Sequence, residues 1–291
     1  LIAHNKSDID KIADITRIAI KRYSKAETID FSTINPADKE RLITAVKRII
    51  PEPAFQISSL IGDLIKPKDV VLLITPLDSE APEGRLILPQ NQTIRDALDH
   101  HCITVVVKES EITDFLKLGV TPAMVITDSS IFGAVSAIIP EEIPLTSFSI
   151  LFARLKGDFD AFRKGTPHIS NLSEGDSVLI LESCTHQTSC EDIGRIKIPM
   201  LLQQFTGKKL HFTMIAGLSE LPRNVSGYSI VIQCGGCMVT RKQLINRINS
   251  FIGAGVPVTN YGMTLAYLHG IFERATAIFG EADNQLTTSD V

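Results

Sequence analysis

The chain has 291 residues, enough for two or three domains that each bury a hydrophobic core. Its residues are 44% hydrophobic and 21% charged, as in ordinary globular proteins, and its net charge of -4 argues against nucleic acid as a partner. The longest apolar runs have the length of strands, well short of the ~20 residues that a membrane-spanning helix needs. We therefore expect a cytoplasmic protein without a membrane partner, in which the five cysteines serve a metal or catalytic site in preference to disulfides.

The first segment, residues 1–52, has the pattern of a strand, a helix, a second strand and a second helix. Leu1–His4 and Thr28–Ser32 are strand-like, and apolar residues at helical spacing follow each of them. Pro36 fits the first turn of the second helix, which ends at a pair of prolines. Because Leu1 already stands inside a strand, we expect that an N-terminal portion of this domain precedes it.

A short polar motif, Asn5-Lys6-Ser7-Asp8, follows the first strand and resembles the guanine-recognition motif of small GTPases. In that motif the Asp carboxylate accepts hydrogen bonds from the guanine ring, while the Asn and Lys side chains hold the base. A polar turn between a strand and a helix would explain the same residues. The chain contains no G-x-x-x-x-G-K-[ST] phosphate loop, so we expect it to be inactive toward GTP. Residues 1–52 are then the C-terminal remnant of a GTPase domain.

The middle segment, residues 53–166, alternates buried strands with helices. Residues 70–74, 103–107 and 123–127 are continuous β-branched runs, as in strands that are covered on both faces. Helical patterns between them predict right-handed βαβ crossovers and a parallel sheet. No catalytic motif occurs here, so we expect this segment to associate with another molecule, such as a second copy of itself. Residues 159–166 are predicted to be a linker.

The last segment, residues 167–291, repeats the α/β pattern. Strands are predicted at 177–181, 210–215, 228–232 and 256–260, and helices at 195–204, 241–252 and 263–278. Thr240 and Gln243 fit the capping box of the second of these helices. The expected fold class is therefore α/β, with consecutive parallel-sheet, Rossmann-like domains built from βαβ connections.

Three cysteines of the last segment stand where predicted strands end. Cys184 follows the strand at 177–181, and Cys234 and Cys237 follow the strand at 228–232. The carboxyl ends of strands are where open α/β sheets bind ligands. The Cys-x-x-Cys spacing lets two thiolates hold one metal centre, and Gly235 and Gly236 let the backbone approach a bulky inorganic group.

Several kinds of site fit these residues. The first is a [4Fe–4S] cluster on three thiolates, whose fourth corner takes His186, Glu182, Cys190, Glu191, Asp192 or water. The second is zinc in a Cys3His site that uses His186, as in an interaction module without iron chemistry. The third is a thioredoxin-like redox pair, which would leave Cys184 unexplained. In the fourth alternative, the cysteines form no such site and are ordinary buried or surface residues.

A resemblance to a known family rests on the same residues. Cys184-Thr185-His186, followed after 46 residues by Gln233-Cys234-Gly235-Gly236-Cys237, resembles the C-x-H…H-C-x-x-C signature of the HydF family, the [FeFe]-hydrogenase maturation GTPases. The segment from Asp192 to Pro199 is also similar to that family. The Asn5-Lys6-Ser7-Asp8 start then matches the end of the family's GTPase domain, and the middle segment matches its dimerisation domain, which implies a homodimer.

The resemblance implies a scaffold or carrier. Such a protein holds a [4Fe–4S] cluster and, transiently, a diiron precursor with CO, cyanide and a dithiolate bridge. Two radical-S-adenosylmethionine enzymes supply the precursor, and apo-[FeFe]-hydrogenase receives it; GTP and magnesium belong to the full-length protein. The resemblance assigns Cys184, Cys234 and Cys237 as cluster ligands and matches His186 to the first family histidine. Gln233 replaces the second histidine, so we expect the fourth corner of the cluster to be exchangeable.

Overall fold

A computed structural model describes residues 2–5, 14–23, 28–32, 34–49, 59–76, 86–183 and 192–280. The chain divides into two compact units, Leu1–Ser58 and Ser59–Val291. Within the described ranges, no helix has both the length and the apolar character that crossing a membrane requires.

The first unit contains two strands and two helices. These are β1 (Ile2–Asn5), α1 (Asp14–Tyr23), β2 (Thr28–Phe31) and α2 (Pro36–Ile49). The two strands are parallel, with Ile2 opposite Thr28 and Asn5 opposite Phe31. Asp38 in the first turn of α2 accepts a hydrogen bond from the Ser32 amide at 3.1 Å. The predicted order of elements is confirmed, and β1 ends at Asn5; Lys6 and Asp8 of the guanine motif lie outside the described residues.

The first part of the second unit is a four-stranded sheet with its helices. In chain order the elements are β3 (Val70–Ile74), α3 (Leu88–Asp99), β4 (Ile103–Val107), α4 (Ile112–Lys117), β5 (Met124–Thr127), α5 (Phe132–Ile138), β6 (Leu145–Ser147) and α6 (Phe148–Lys156). All neighbouring strands are parallel, and the strand order is β4-β3-β5-β6.

The second part contains another four-stranded parallel sheet. Its elements are α7 (Phe159–Gly165), β7 (Ser177–Leu181), a π-helical turn (Ile193–Lys197), α8 (Ile198–Thr206), β8 (His211–Ile215), β9 (Ile230–Gln233), α9 (Arg241–Gly253), β10 (Val258–Asn260), α10 (Tyr261–Leu268) and α11 (Phe272–Ala277). The strand order is β10-β9-β7-β8. Both sheets therefore have the same connectivity: the chain moves from the first strand to one neighbour, and then returns to the other side.

The expected fold class, α/β with consecutive parallel sheets, is confirmed. The central strands that the sequence predicted as continuous apolar runs are buried, including residues 71–74, 178–181 and 230–232. Helices therefore cover both faces of the sheets at these central strands, as parallel sheets require. The expectation that residues 103–107 are covered on both faces is wrong, because β4 is the edge strand of its sheet and leaves Ile103 and Val106 exposed. The two sheets also share a core, since Leu179, Leu181 and Val231 of the second sheet pack in one cluster with the residues of the first.

Two further local predictions are wrong, and one short element was not predicted. Residues 159–166 are not a linker, because Asp158 accepts a hydrogen bond from the Ala161 amide and caps α7, whose Gly165 packs against β10. The helix predicted at 263–278 is two helices, α10 and α11, separated at Gly270, which has a left-handed φ of 73°. The short strand β6 was not predicted, because its three residues are too few to show a periodic pattern.

Candidate metal centre

The candidate site lies at the carboxyl ends of β7 and β9. From β7 the chain passes to β8 on one side, and β9 lies on the other side, so the strand order reverses between β7 and β9. Ligands of open α/β sheets bind in the crevice at such a reversal. Glu182 and Ser183 continue from β7, and Cys234 continues from β9. A cysteine therefore lies at the place where this fold class forms binding sites.

Cys234 is buried and is held close to the end of β7. Its amide donates to the Leu181 carbonyl at 2.9 Å, and its side chain is 9% exposed. The Ser183 amide donates to Cys234 Sγ at 3.0 Å, and Gln233 Nε2 lies 3.6 Å from the same sulfur. Amide groups aimed at a sulfur stabilise the thiolate, the form that binds metal. Ser183 is also the residue before Cys184, which lies outside the described residues.

The loop after Cys234 is shaped by Gly236. This glycine has a left-handed φ of 66°, and a Cβ there would lie 2.4 Å from Leu244 Cδ1. The Val239 amide donates to the Gly236 carbonyl at 3.2 Å and closes a turn around Cys237, which is half-buried. The loop then meets α9, where Thr240 and Gln243 form the predicted capping box. The glycine is therefore needed both for its backbone conformation and for its lack of a side chain.

We expect Gly236→Ala to destabilise the protein by about 2–4 kcal/mol, because the new methyl group adds a steric clash to an unfavourable left-handed backbone. Gly235→Ala is the matched control. Gly235 does not have a positive φ, and a Cβ there would lie 3.6 Å from its nearest neighbour, Ser149 Oγ. Urea unfolding of both variants checks the prediction, and equal losses of stability would contradict it.

A lysine from the first sheet's last helix holds this loop. Lys156, the final residue of α6, donates from Nζ to the carbonyls of Gly236, Cys237 and Val239, each at 3.0 Å. Its ammonium also lies 5.3 Å from the centre of the Phe152 ring. The loop that carries Cys237 is therefore fixed by a cation from the other half of the second unit.

Gln233 lies between the two strand ends and is completely buried. Its Nε2 donates to Ser183 Oγ at 2.9 Å and to the Cys234 carbonyl at 3.1 Å. Its Oε1 is buried and has no hydrogen-bond partner within the described part of the chain. The amide group thus organises the site through its nitrogen and leaves one acceptor oxygen for a group that those residues do not supply.

The two described carboxylates of the predicted site both interact with Arg195. Glu182 accepts from Arg195 Nε at 2.9 Å and from Arg195 Nη2 at 2.8 Å. This interaction raises the pKa of the Arg195 guanidinium. Asp192 caps the π-helical turn, where its side chain accepts from the Arg195 amide at 2.8 Å. Each carboxylate already has a structural partner.

A buried arginine lies behind the site. Arg247 of α9 is 6% exposed and donates to the Glu182 carbonyl at 3.1 Å. Its second contact, to the Ile215 carbonyl, is 3.4 Å long, and its Nε is buried without a hydrogen-bond partner in the described ranges. Burial lowers the pKa of this guanidinium, and the nearby Cys234 opposes that shift. Sequence reasoning missed it, although it stands on the apolar face of α9 between Leu244 and Ile248.

Not every predicted ligand is described. Cys184, His186, Cys190 and Glu191 lie outside the described residues, and the remainder of the site contains no group of three metal-ligating side chains within those ranges. What is described fits a thiolate-bound metal group: a buried cysteine with amide donors, a glycine turn with no room for a side chain, and an unsatisfied buried acceptor at Gln233. The ligand assignment itself stays a prediction.

Comparisons with known proteins identify two domains. Residues 60–157 match the family model of the hydrogen maturase F dimerization domain, and residues 160–278 match that of the hydrogen maturase F tetramerization domain. A comparison with curated protein sequences gave no match.

An ABC transporter solute-binding protein from Burkholderia multivorans is 13% identical, over 74% of this chain and 94% of that one, with a TM-score of 0.21. The two domain matches span most of the chain and support self-association and a role in hydrogenase maturation. The chain therefore belongs to the hydrogen maturase F (HydF) family.

Proposed function

We propose that the protein is a scaffold and carrier in [FeFe]-hydrogenase maturation. In this role it holds a [4Fe–4S] cluster through Cys184, Cys234 and Cys237 and presents an exchangeable fourth corner. A diiron precursor with CO and cyanide ligands is the cargo, which the protein receives from radical-S-adenosylmethionine enzymes and transfers to apo-hydrogenase. One observation carries the proposal. In a chain of this family, two cysteines flank a glycine turn at the point where the strand order of the sheet reverses.

The chain's own residues supply the binding chemistry. Cys234 provides a buried sulfur, and the Ser183 amide favours its thiolate form with a 3.0 Å hydrogen bond. Lys156 holds the carbonyls on either side of Cys237 in the loop, so that the second sulfur is presented in a fixed position. A bound cluster supplies an iron with an open coordination position. Three thiolates and a weaker fourth ligand allow that position to exchange, whereas a fourth thiolate would hold it firmly.

Several side chains at the site already have hydrogen-bond partners, which supports an exchangeable fourth ligand of the cluster. Glu182 has its carboxylate on Arg195, and Asp192 caps its own helical turn, so ligation by either would first break those contacts. Gln233, which replaces a family histidine, uses its amide nitrogen to hold Ser183 and is a poor iron ligand. The other candidates for the corner are His186, Cys190 and Glu191, together with water or the cargo's cyanide.

Two further parts of the proposal concern the whole protein. We propose that Asn5, Lys6 and Asp8 recognise guanine in a full-length protein that binds GTP with magnesium. The parallel pair of strands β1 and β2, with Asn5 at the end of β1, is compatible with that role. The family match to a dimerization domain supports a dimer through residues 60–157.

Metal analysis tests the proposed function. We expect anaerobically reconstituted protein to be brown and to contain about four irons and a similar amount of sulfide per chain. A colourless protein with one zinc and no sulfide would instead indicate a structural Cys3His site and would reject the carrier. Electron paramagnetic resonance of the reduced cluster, with and without imidazole or cyanide, tests the open corner. A spectrum that responds to neither would contradict an exchangeable ligand.

A further inference from the structure

The charge of Arg247 is not balanced by a carboxylate in the described part of the chain. Arg247 is buried, and within the described residues its guanidinium donates to two backbone carbonyls, those of Glu182 and Ile215. The carboxylate of Glu182, whose backbone carbonyl accepts from Arg247, is paired with Arg195. An arginine stays protonated at any ordinary pH, and an unpaired buried charge is costly. Among the described residues, the buried cation of Arg247 therefore has no carboxylate partner.

One peptide group links the Arg247 cation to the Cys234 sulfur. The peptide group between Glu182 and Ser183 accepts from Arg247 Nη1 through its carbonyl at 3.1 Å. The same peptide group donates to Cys234 Sγ through its N–H at 3.0 Å. A hydrogen bond donated to the carbonyl polarises the peptide group and so strengthens the hydrogen bond from its N–H to the sulfur. Since the peptide itself is short, the guanidinium lies within about 9 Å of the sulfur.

An anionic group at the sulfur would supply the missing charge. A metal cluster on three thiolates carries net negative charge that grows by one unit when the cluster is reduced. A cation at this distance, in a low-dielectric interior, stabilises the reduced form more than the oxidised form. Zinc on the same thiolates would have no such redox dependence.

We propose that Arg247 is a positioning residue of the cluster site, where its buried cation balances the bound cluster and raises the cluster's reduction potential through the Glu182–Ser183 peptide. This inference rests on the proposed function, because it requires the iron–sulfur cluster. It adds a residue that is not among the predicted metal ligands and that lies on α9, 13 positions after Cys234 in the chain.

Two substitutions separate the charge from the hydrogen bonds. Arg247→Gln keeps a donor for the Glu182 carbonyl and removes the charge, whereas Arg247→Lys keeps the charge. Arg274→Gln is the matched control, because Arg274 also donates to backbone carbonyls, those of Ile139 and Ile143, and also has a buried Nε without a partner in the described ranges. Within the described residues, Arg274 forms no hydrogen bond with a residue of the cysteine site.

The measurement is a redox titration of the reconstituted full chain, followed by electron paramagnetic resonance. At the wild-type midpoint we expect Arg247→Gln to lower the ratio of reduced to oxidised cluster at least about tenfold, a fall of about 59 mV for one electron. Arg247→Lys should change this ratio less than about threefold, and Arg274→Gln should leave it unchanged. Loss of the cluster from the Gln variant but not from the Lys variant would also support the role of charge.

The opposing outcomes are distinct. The inference is overturned if the Gln and Lys variants behave alike, whether both keep the wild-type potential or both lose the cluster. It is also overturned if Arg274→Gln shifts the potential as far as Arg247→Gln. Absence of iron from the reconstituted wild-type protein would reject the proposed function and this inference together, whereas loaded variants with an unchanged potential would reject the inference alone.

Discussion

Replacing Cys234 by serine is expected to abolish the cluster. Cys234 provides the buried sulfur at the end of β9, and a serine hydroxyl is far less acidic than a thiol and binds iron weakly. Iron after anaerobic reconstitution should fall from about four atoms per chain to less than about one. The fold should survive, because Ser occupies nearly the same volume and its oxygen can still accept from the Ser183 amide. Iron and sulfide analysis with circular dichroism measures both effects.

Cys102→Ser provides the comparison for that experiment. Cys102 is equally buried, and its Sγ donates to the Lys66 carbonyl at 3.1 Å, in the half of the second unit that has no predicted metal ligand. Burial raises the pKa of this thiol, as expected for a structural cysteine. The variant should retain its iron. If Cys234→Ser also kept full iron content, the assignment of Cys234 as a ligand would be wrong.

The fold could be predicted because its strands are short, apolar and regularly spaced. Residues 70–74, 103–107 and 177–181 were assigned to strands with the bounds that the structure has. Residues 71–74 and 178–181 are buried, and parallel strands that are covered on both faces show such uninterrupted apolar runs. The capping box at Thr240 could be predicted for the same reason, since it depends only on two side chains three residues apart in the sequence. Signals of this kind lie within one stretch of sequence.

At the candidate site, the sequence indicates only the residues that are able to bind metal, and their role as ligands stays a prediction. Cysteines at two strand ends are visible in the sequence, whereas the cations that surround them are not. Lys156 precedes the loop it holds by 80 positions, and Arg247 follows Glu182 by 65. Such contacts depend on how the two sheets pack, and no short pattern encodes that packing. A charged residue on the apolar face of a helix, as at Arg247, is the one local sign that was available.

Replacing Lys156 by methionine is expected to loosen the loop that carries Cys237. The ammonium is the common donor to three carbonyls of this loop, and its loss leaves the Cys237 and Val239 carbonyls with fewer partners. Hydrogen bonds from charged donors contribute about 1.5–3 kcal/mol each and overlap here, so the free energy of unfolding should fall by about 2–4 kcal/mol. Methionine still fills the space beside Phe152, which keeps the change specific to the charge.

The cluster should respond more sharply than the fold. A loop that opens more often exposes its thiolate ligand, so we expect chelator to remove iron from Lys156→Met at least about tenfold faster, equivalent to about 1.4 kcal/mol. Lys164→Met is the matched control, since Lys164 also lies in the last turn of a helix, α7, but is exposed to solvent. It should release iron at the wild-type rate. Equal rates for all three proteins would mean that the loop holds Cys237 without the lysine, and the link from α6 to the metal centre would fail.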